Sequence, residues 1–469
     1  MRAEVASPVS PTSPASLRAF RGVCDLCLRD VPGTLELDQG LVRQRKVCPE
    51  HGARHALLSR NGERYARYDR SYHTLFPPDG VPTPPVDSYF AVTNRCNQAC
   101  DYCLVEANRV DYYGDYDLAR FDRELPGLTS KKVGLVGGEP AMHPRFFDLV
   151  ARIAAAGKTA VVFTNGLAFA DERMAERLVA ASQRRCIVRF TFEGFGDGDY
   201  AHLRIPHARQ KKLDALAHLA RHGAAITLAH TITIAEQADR PHLRRIMRAI
   251  ISYAMGQRAI TGVTFSAVAA LGALRGRSAD DEMPVDEVMD EIVRAMPLPI
   301  DRRHVYLAQR ITHAVARLFG LPMCVYHQAA LLLRAGDGWH GLDHFLDCER
   351  LEARLDTRLD GWPASRAGIF AALASDLALT ARPARAPALA KLGLGVLPLF
   401  LGGLDYREIP DGILPINAGT VCDPHNFDAT VARRCEKLAY SAVDGDTVVE
   451  TVSQMVMRHL GDRELRTLR

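Results

Sequence analysis

The sequence lacks several features that would assign it quickly, and each absence removes a class. Its charges nearly cancel, with 59 Lys and Arg against 55 Asp and Glu for a net +4. That balance gives neither the basic surface of a nucleic-acid binder nor a polybasic membrane anchor. Residues 1–16 contain no apolar h-region and are polar, with Pro8, Pro11 and Pro14 among serines; no secretory signal is expected, and the expected compartment is the cytoplasm. No uninterrupted apolar run reaches membrane length. The longest, residues 386–404 with Leu392, Leu394, Val396, Leu397, Leu399, Phe400 and Leu401, is broken by Lys391 and by glycines and prolines. It is expected to pack in a core or to line an apolar substrate tunnel. Apolar residues make up 47% of the chain, material for roughly two to four domains.

Cysteine is not lacking: there are eleven, and their spacing suits metal binding in a reducing compartment better than disulfides. Cys96, Cys100 and Cys103 form a C-x-x-x-C-x-x-C array directly after the apolar run 89–92. Three thiolates this close can hold three irons of a 4Fe-4S cluster, and the missing fourth cysteine leaves one iron open to another ligand. The alternative is a structural zinc knuckle, which the three-residue gap suits less well.

Two further pairs flank a hairpin-like stretch at 34–47: Cys24-Asp25-Leu26-Cys27 and Cys48-Pro49-Glu50-His51-Gly52. Cys24, Cys27, Cys48 and His51 supply the sulfur and imidazole ligands of a tetrahedral site, for zinc or a mononuclear rubredoxin-like iron. His51 is the ligand that a thiolate from elsewhere could replace. Such a site would fold a region too small to have its own core.

From residue 86 to 275, short apolar runs alternate with helical patterns, the sign of repeated βα units and a parallel sheet. The expected strands are 89–93, 132–136, 159–164, 187–193, 225–232 and 262–268, about six units against the eight of a closed barrel. Ligands of parallel α/β folds collect at the carboxyl ends of strands. There the sequence places Gly137-Gly138-Glu139-Pro140, Thr164-Asn165-Gly166 and Glu193, and the fifth strand carries His230 and Thr231, of which the histidine reads as structural. Arg204 precedes an expected helix at 211–222 and is either a bidentate anion ligand or a solvated surface arginine. Cys186 reads as a core residue.

The array, with Tyr102 before its last cysteine, resembles the signature of the radical SAM superfamily. The resemblance implies a partial (β/α)6 barrel whose free iron chelates S-adenosylmethionine (SAM). Reductive cleavage there gives a 5′-deoxyadenosyl radical that abstracts hydrogen from substrate. It further implies that Gly137, Gly138, Glu139 and Pro140 meet the SAM amino group and that Thr164 and Asn165 line the SAM pocket. Glu193 would face the ribose, Arg204 the carboxylate, and Tyr102 would belong to the same cofactor site. A reductant such as flavodoxin or ferredoxin would be the protein partner.

Beyond the barrel, an α+β extension is expected over 276–469, with a helix at 285–295. Cys324, Cys348, Cys422 and Cys435 are the ligands of one auxiliary 4Fe-4S cluster or buried free thiols. Trp339, His340 and His344 are candidate substrate contacts. The run Cys422-Asp423-Pro424-His425-Asn426-Phe427-Asp428, followed by Arg433-Arg434-Cys435, resembles the C-terminal element of archaeal tetraether lipid synthase and the pterin-methylating radical SAM proteins. The N-terminal ligand pairs and Ile260-Thr261-Gly262-Val263-Thr264-Phe265 resemble theirs as well. Those relatives carry a further cysteine soon after the element, whereas 449–459 here has none, which leaves the number of auxiliary clusters open. The expected organisation is a disordered tail at 1–20, a metal-binding element at 21–85, a barrel at 86–275 and an auxiliary-cluster and substrate region at 276–469. The resemblance implies C–C bond formation or C-methylation of a small-molecule or lipid substrate. A radical SAM maturase of a ribosomal peptide is the alternative enzyme, although no leader-binding element precedes the metal region. A non-catalytic iron–sulfur electron carrier or redox sensor would not need the glycine and asparagine loops at successive strand ends.

Overall fold

The computed structural model describes residues 14–77, 87–109, 114–203, 205–321, 324, 328–336, 338–390, 412–432, 435, 437–443 and 446–451. Their strands form two sheets. The first is a four-stranded antiparallel sheet in chain order: β1 (Ala15–Val23), β2 (Asp30–Asp38), β3 (Leu41–Cys48) and β4 (Gly52–Ser59). β1 corrects the expectation of a disordered tail over 1–20 at residues 15–20, while residues 1–13 lie outside the described residues. Phe20 is buried with Leu35, Val42 and Leu58, and pairing with β2 satisfies the strand's backbone. Those two gains outweigh the serine- and proline-rich sequence just before it.

The second sheet has eleven strands. Its centre is the expected set of six: β5 (Asp87–Thr93), β6 (Lys132–Gly137), β7 (Thr159–Thr164), β8 (Cys186–Thr191), β9 (Ala225–Ile232) and β10 (Ile260–Ala267). These lie side by side in chain order and all parallel, the partial (β/α)6 barrel. One face of the sheet is covered by the connecting helices: Phe90, Leu135, Val162, Phe190, Leu228 and Phe265 are fully buried there in one continuous core. Burial on both faces explains why β5 reads as an unbroken buried run rather than an alternating one.

The described strands of 276–469 are not a separate layer, because they extend this same sheet at both edges. After β11 (Gln328–Ala335) and β12 (Gly338–His340), β13 (Ile413–Gly419) pairs in parallel with β10. At the other edge β14 (Lys437–Val443) pairs in parallel with β5, and β15 (Asp446–Thr451) folds back antiparallel on it. β11 and β12 run antiparallel outside β13. Among the described residues no helix is long and apolar enough to cross a membrane. The apolar stretch continues past residue 390 outside the described residues, and the tunnel expectation lies there with it.

The amino-terminal end of the sheet is closed by buried charge. Lys132 Nζ lies 3.3 Å from Asp87 Oδ1, and the Tyr89 hydroxyl donates to Asp87 Oδ2 at 2.9 Å. Gly134 makes room for Tyr89, since a Cβ there would sit 2.3 Å from the ring. Removing one member of such a pair leaves an uncompensated buried charge. Lys132→Met should therefore cost about 3–5 kcal/mol in a denaturant titration, and adding Asp87→Asn should recover a large part of the loss.

Candidate active site

The chain leaving β5 forms the cysteine loop, and hydrogen bonds from neighbouring strand ends fix it. Gly138 N–H donates to Thr93 O at 2.8 Å and Glu139 N–H to Arg95 O at 2.7 Å. Asn108 clasps the loop from its other end, accepting from Cys96 N–H at 3.1 Å and donating to Cys96 O at 2.5 Å. Behind it, Ala273 N–H donates to Cys103 O at 3.0 Å. Backbone amides also reach the sulfurs: Gln98 N–H to Cys96 Sγ and Ala107 N–H to Cys103 Sγ, both at 3.4 Å. Such bonds stabilise thiolate ligands and tune a cluster's potential. Burial pushes the free thiols of Cys96 and Cys100 up to about 11 and about 12, so a bound cation is what would deprotonate them at neutral pH.

Gly138 shows how closely the strand ends approach one another. A Cβ there would lie 2.3 Å from Arg95 O and 2.9 Å from Asn94 O, so only glycine lets the two loops touch. Glu139 is fully buried, and its carboxylate joins the second loop to the third. Oε1 accepts from Ala141 N–H at 3.1 Å and from the Thr164 hydroxyl at 2.8 Å, while Oε2 accepts from Asn165 N–H at 2.8 Å. Burial raises its pKa even so, against the pull of those bonds. Pro140 opens the short turn Pro140–Met142 that aims the carboxylate back at these donors. The Asn165 side chain then donates to Asn97 Oδ1 at 2.7 Å and lies 3.9 Å from Cys96 Sγ. The structure thus brings Cys96, Gly138, Glu139, Thr164 and Asn165 together.

Glu193 lies two residues beyond the end of β8, and both its oxygens are held by Lys212 Nζ at 2.7 and 2.6 Å. Lys212 spends its remaining donor on Thr191 O at 2.9 Å. Sequence reasoning missed this lysine, although a signal existed. In the helix Ala208–His222 the buried positions are Ala208, Lys212, Ala215, Leu216 and Leu219, so Lys212 sits on the core-facing stripe. The Tyr102 hydroxyl lies 3.3 Å from His202 Nε2, with ring centroids 5.6 Å apart. His230 is structural: its Nδ1 lies 3.0 Å from Phe192 O and its Nε2 3.3 Å from Glu236. Arg204 lies outside the described residues.

At the N-terminal site, Cys24, Cys27, Cys48 and His51 converge with all ligand atoms within 4.8 Å of one another. Cys27 and Cys48 sulfurs are 3.8 Å apart, and His51 Nδ1 is 3.6 Å from Cys24 Sγ and 3.5 Å from Cys48 Sγ. A tetrahedral ion with ordinary zinc–sulfur and zinc–nitrogen bonds demands edges of about 3.8 and 3.6 Å, so the four residues fit a single metal ion. Among the described residues this is the one group of three or more such side chains gathered so as to hold a metal ion. Of the remaining cysteines, Cys324 and Cys422 pack against one apolar cluster with Tyr72, Leu75 and Val431. Cys348 is buried in another, with Tyr306, Phe345 and Leu351. Cys435 follows the short helix Ala429–Ala432, its N–H donating to Ala432 O, while Arg433 and Arg434 lie outside the described residues. Trp339 donates to Met255 O at 2.8 Å, and the rings of His340 and His344 stack 3.7 Å apart beside the outermost strand.

Residues 90–250 match the sequence profile of the Radical SAM superfamily, and residues 17–60 match that of the HMPTM N-terminal zinc ribbon domain. Among curated proteins, an AdoMet-dependent heme synthase of Nitratidesulfovibrio vulgaris is 26% identical over 159 residues, 33% of this chain and 42% of its own. A 7,8-dihydro-6-hydroxymethylpterin dimethyltransferase of Methanocaldococcus jannaschii is 22% identical over 202 residues, 38% of this chain and 39% of its own. The chain thus spans less than half the length of either relative. A crystal structure of Streptococcus suis SuiB bound to precursor peptide SuiA superposes with a TM-score of 0.36 at 11% identity, covering 50% of each chain.

The His230–Glu236 pair makes a pH prediction. Burial alone would raise Glu236, but His230 and the Thr233 donors hold it down to about 2, below its ordinary 4.5. Its contribution is present above 4.5 and is lost as pH falls toward 2. Burial lowers His230, yet Glu236 contacts raise it above 6.5 overall, so its contribution is complete below 6.5 and is lost as pH rises through the raised value. The melting-temperature gap between wild type and His230→Gln should be widest between pH 4.5 and 6.5 and should narrow on both sides.

Proposed function

We propose that this chain, whose residues 90–250 match the Radical SAM superfamily, cleaves SAM to abstract hydrogen from a small polar substrate, leading to C-methylation or another C–C bond. The observation that carries this reading is the cysteine loop clamped to two glycine-containing strand ends through the buried Glu139. Cys96, Cys100 and Cys103 would hold the 4Fe-4S cluster, and Gly137 to Pro140, Thr164, Asn165, Glu193 and Arg204 would surround SAM. The donor set fits: three thiols, amide donors to two of them, and a glycine that lets the second strand end pack directly on the cysteine loop. The chemistry supplied there is reductive cleavage of a sulfonium to a carbon radical.

This chain's own residues position and exclude. Lys212 neutralises and aims the Glu193 carboxylate, whose free lone pairs can accept from a ribose diol. His202 steadies the Tyr102 ring beside Cys100. Across the inner face of the sheet, the aligned residues Thr191, Ala229, Thr264 and Asn417 form one row, and Thr231, Ser266 and Gly419 the next. Closed barrels fill this space with bulky side chains; here small ones leave room. The four hydroxyls have no hydrogen-bond partner among the described residues and are half-buried. A floor of hydroxyls and one amide favours a heteroatom-rich molecule over an acyl chain. The pterin dimethyltransferase relative supports methyl transfer to such a ring. Cys324, Cys422 and Cys435 remain candidates for an auxiliary cluster, with Cys348 set in a separate apolar cluster.

Anaerobically reconstituted protein given dithionite and SAM should release 5′-deoxyadenosine. Replacing Cys96, Cys100 and Cys103 with alanine should lower that release to background. If the triple variant still releases it at the wild-type rate, the reading is wrong.

A further inference from the structure

The ribbon's inward face is unexpectedly polar. β3 turns Val42, Gln44, Lys46 and Cys48 inward, and Gln44 and Lys46 are as buried as the apolar residues beside them. Both are used on one target, the stretch 424–426 of the C-terminal element. Lys46 Nζ donates to Pro424 O and, at 3.1 Å, to His425 O; Gln44 Nε2 donates to Asn426 O at 3.0 Å. Three consecutive carbonyls are thus satisfied by two ribbon side chains. Arg18 on β1 pairs with the fully buried Asp428 at 2.7 Å. β1 also passes so close that a Cβ on Gly22 would lie 2.9 Å from Phe427 O.

The other side of the same element faces the barrel. Phe427 is buried with Val23 of the ribbon, Ala91 of β5, and Ala269 and Leu271 from the loop after β10. The Ala270 N–H is shared between Asp423 Oδ2 and Glu282 Oε1, each at 3.2 Å. His425 Nε2 lies 3.0 Å from Arg277 O. Three residues past Ala270, Ala273 N–H donates to Cys103 O. Gly272 has φ 52°, and a Cβ on it would be 2.3 Å from both Cys103 O and Leu104 O.

We propose that residues 423–428 act as a clamp through which the metal-bound ribbon positions the loop 269–277, and with it the backbone that carries Cys103. The ribbon needs its metal for this. Apart from its cysteines it has only a handful of buried apolar residues, Phe20, Val31, Leu35, Val42 and Leu58 among them, so metal binding supplies much of its folding energy. The clamp's donors are spaced along the strand that ends in the ligand Cys48. Loss of the metal therefore removes the fixed strand that presents Lys46 and Gln44 to the carbonyls. Lys46 and Gln44 are positioning residues and touch no reacting atom.

Contact alone does not establish coupling, so the test reads the far end of the path. Hydrogen–deuterium exchange is followed on the full chain, with metal content measured in parallel. Lys46→Met should keep one ribbon metal ion per chain yet speed exchange in both 423–428 and 269–277 about tenfold, because buried carbonyls lose their donor. Cys27→Ser should lose the metal and speed exchange in the same two segments, and Lys46→Arg should retain wild-type protection. Unchanged exchange at 269–277 in either Lys46→Met or Cys27→Ser overturns the proposal. Should Lys46→Met also loosen β6 and β7, Gln44→Leu, which deletes one hydrogen bond, is judged on the same two segments by the same criterion. These readouts do not involve SAM cleavage, so their outcome is separable from that of the proposed function.

Discussion

One buried carboxylate sets the geometry on which the site depends. Glu139 receives donors from its own turn and from the end of the next strand, so the loops after β6 and β7 cannot move independently. Hydrogen bonds to a charged group contribute about 1.5–3 kcal/mol each, and burying an ion costs several kcal/mol. The two roughly cancel, which makes Glu139 a device for fixing geometry rather than a source of stability. What it fixes is the spacing between the Gly137-Gly138 turn, Asn165 and the loop holding Cys96.

A second buried charge follows the same logic on the other side of the cluster loop. Glu193 alone would be costly at this depth, and Lys212 compensates it from the helix behind β8. The result is a carboxylate held in one orientation at a strand end. Beyond Glu193 the inner face at the strand ends of β8, β9 and β10 is lined by small residues, and that side is completed by β13, a strand from the C-terminal region. The barrel and the C-terminal region are therefore one structure in which the later chain furnishes both sheet edges.

Much of this was legible in the sequence because it is local. The cysteine spacing, the paired glycines and Thr164-Asn165-Gly166 sit at the ends of short apolar runs. All six of those runs match the observed strands to within two residues at either end, with Glu193 falling just past the end of β8. The four N-terminal ligands were equally readable from their two pairs. What was not legible depends on pairing at a distance. Nothing in residues 413–419 or 437–443 announces that they flank β10 and β5, since strand pairing leaves no periodic mark of its own partner. β1 was hidden by the proline-rich sequence before it. Gln44 and Lys46 look like solvent-facing residues of a hairpin until the carbonyls of 424–426 are placed against them.

The central claim is that Cys96, Cys100 and Cys103 hold a cluster with one iron left open for SAM. Electron paramagnetic resonance of the anaerobically reconstituted, dithionite-reduced protein, with and without SAM, tests it most directly. Binding at an open iron predicts that SAM changes the g-values of the reduced cluster, and that the change is absent from a variant lacking the three cysteines. A reduced-cluster signal that SAM leaves unaltered in the wild-type protein would contradict the account.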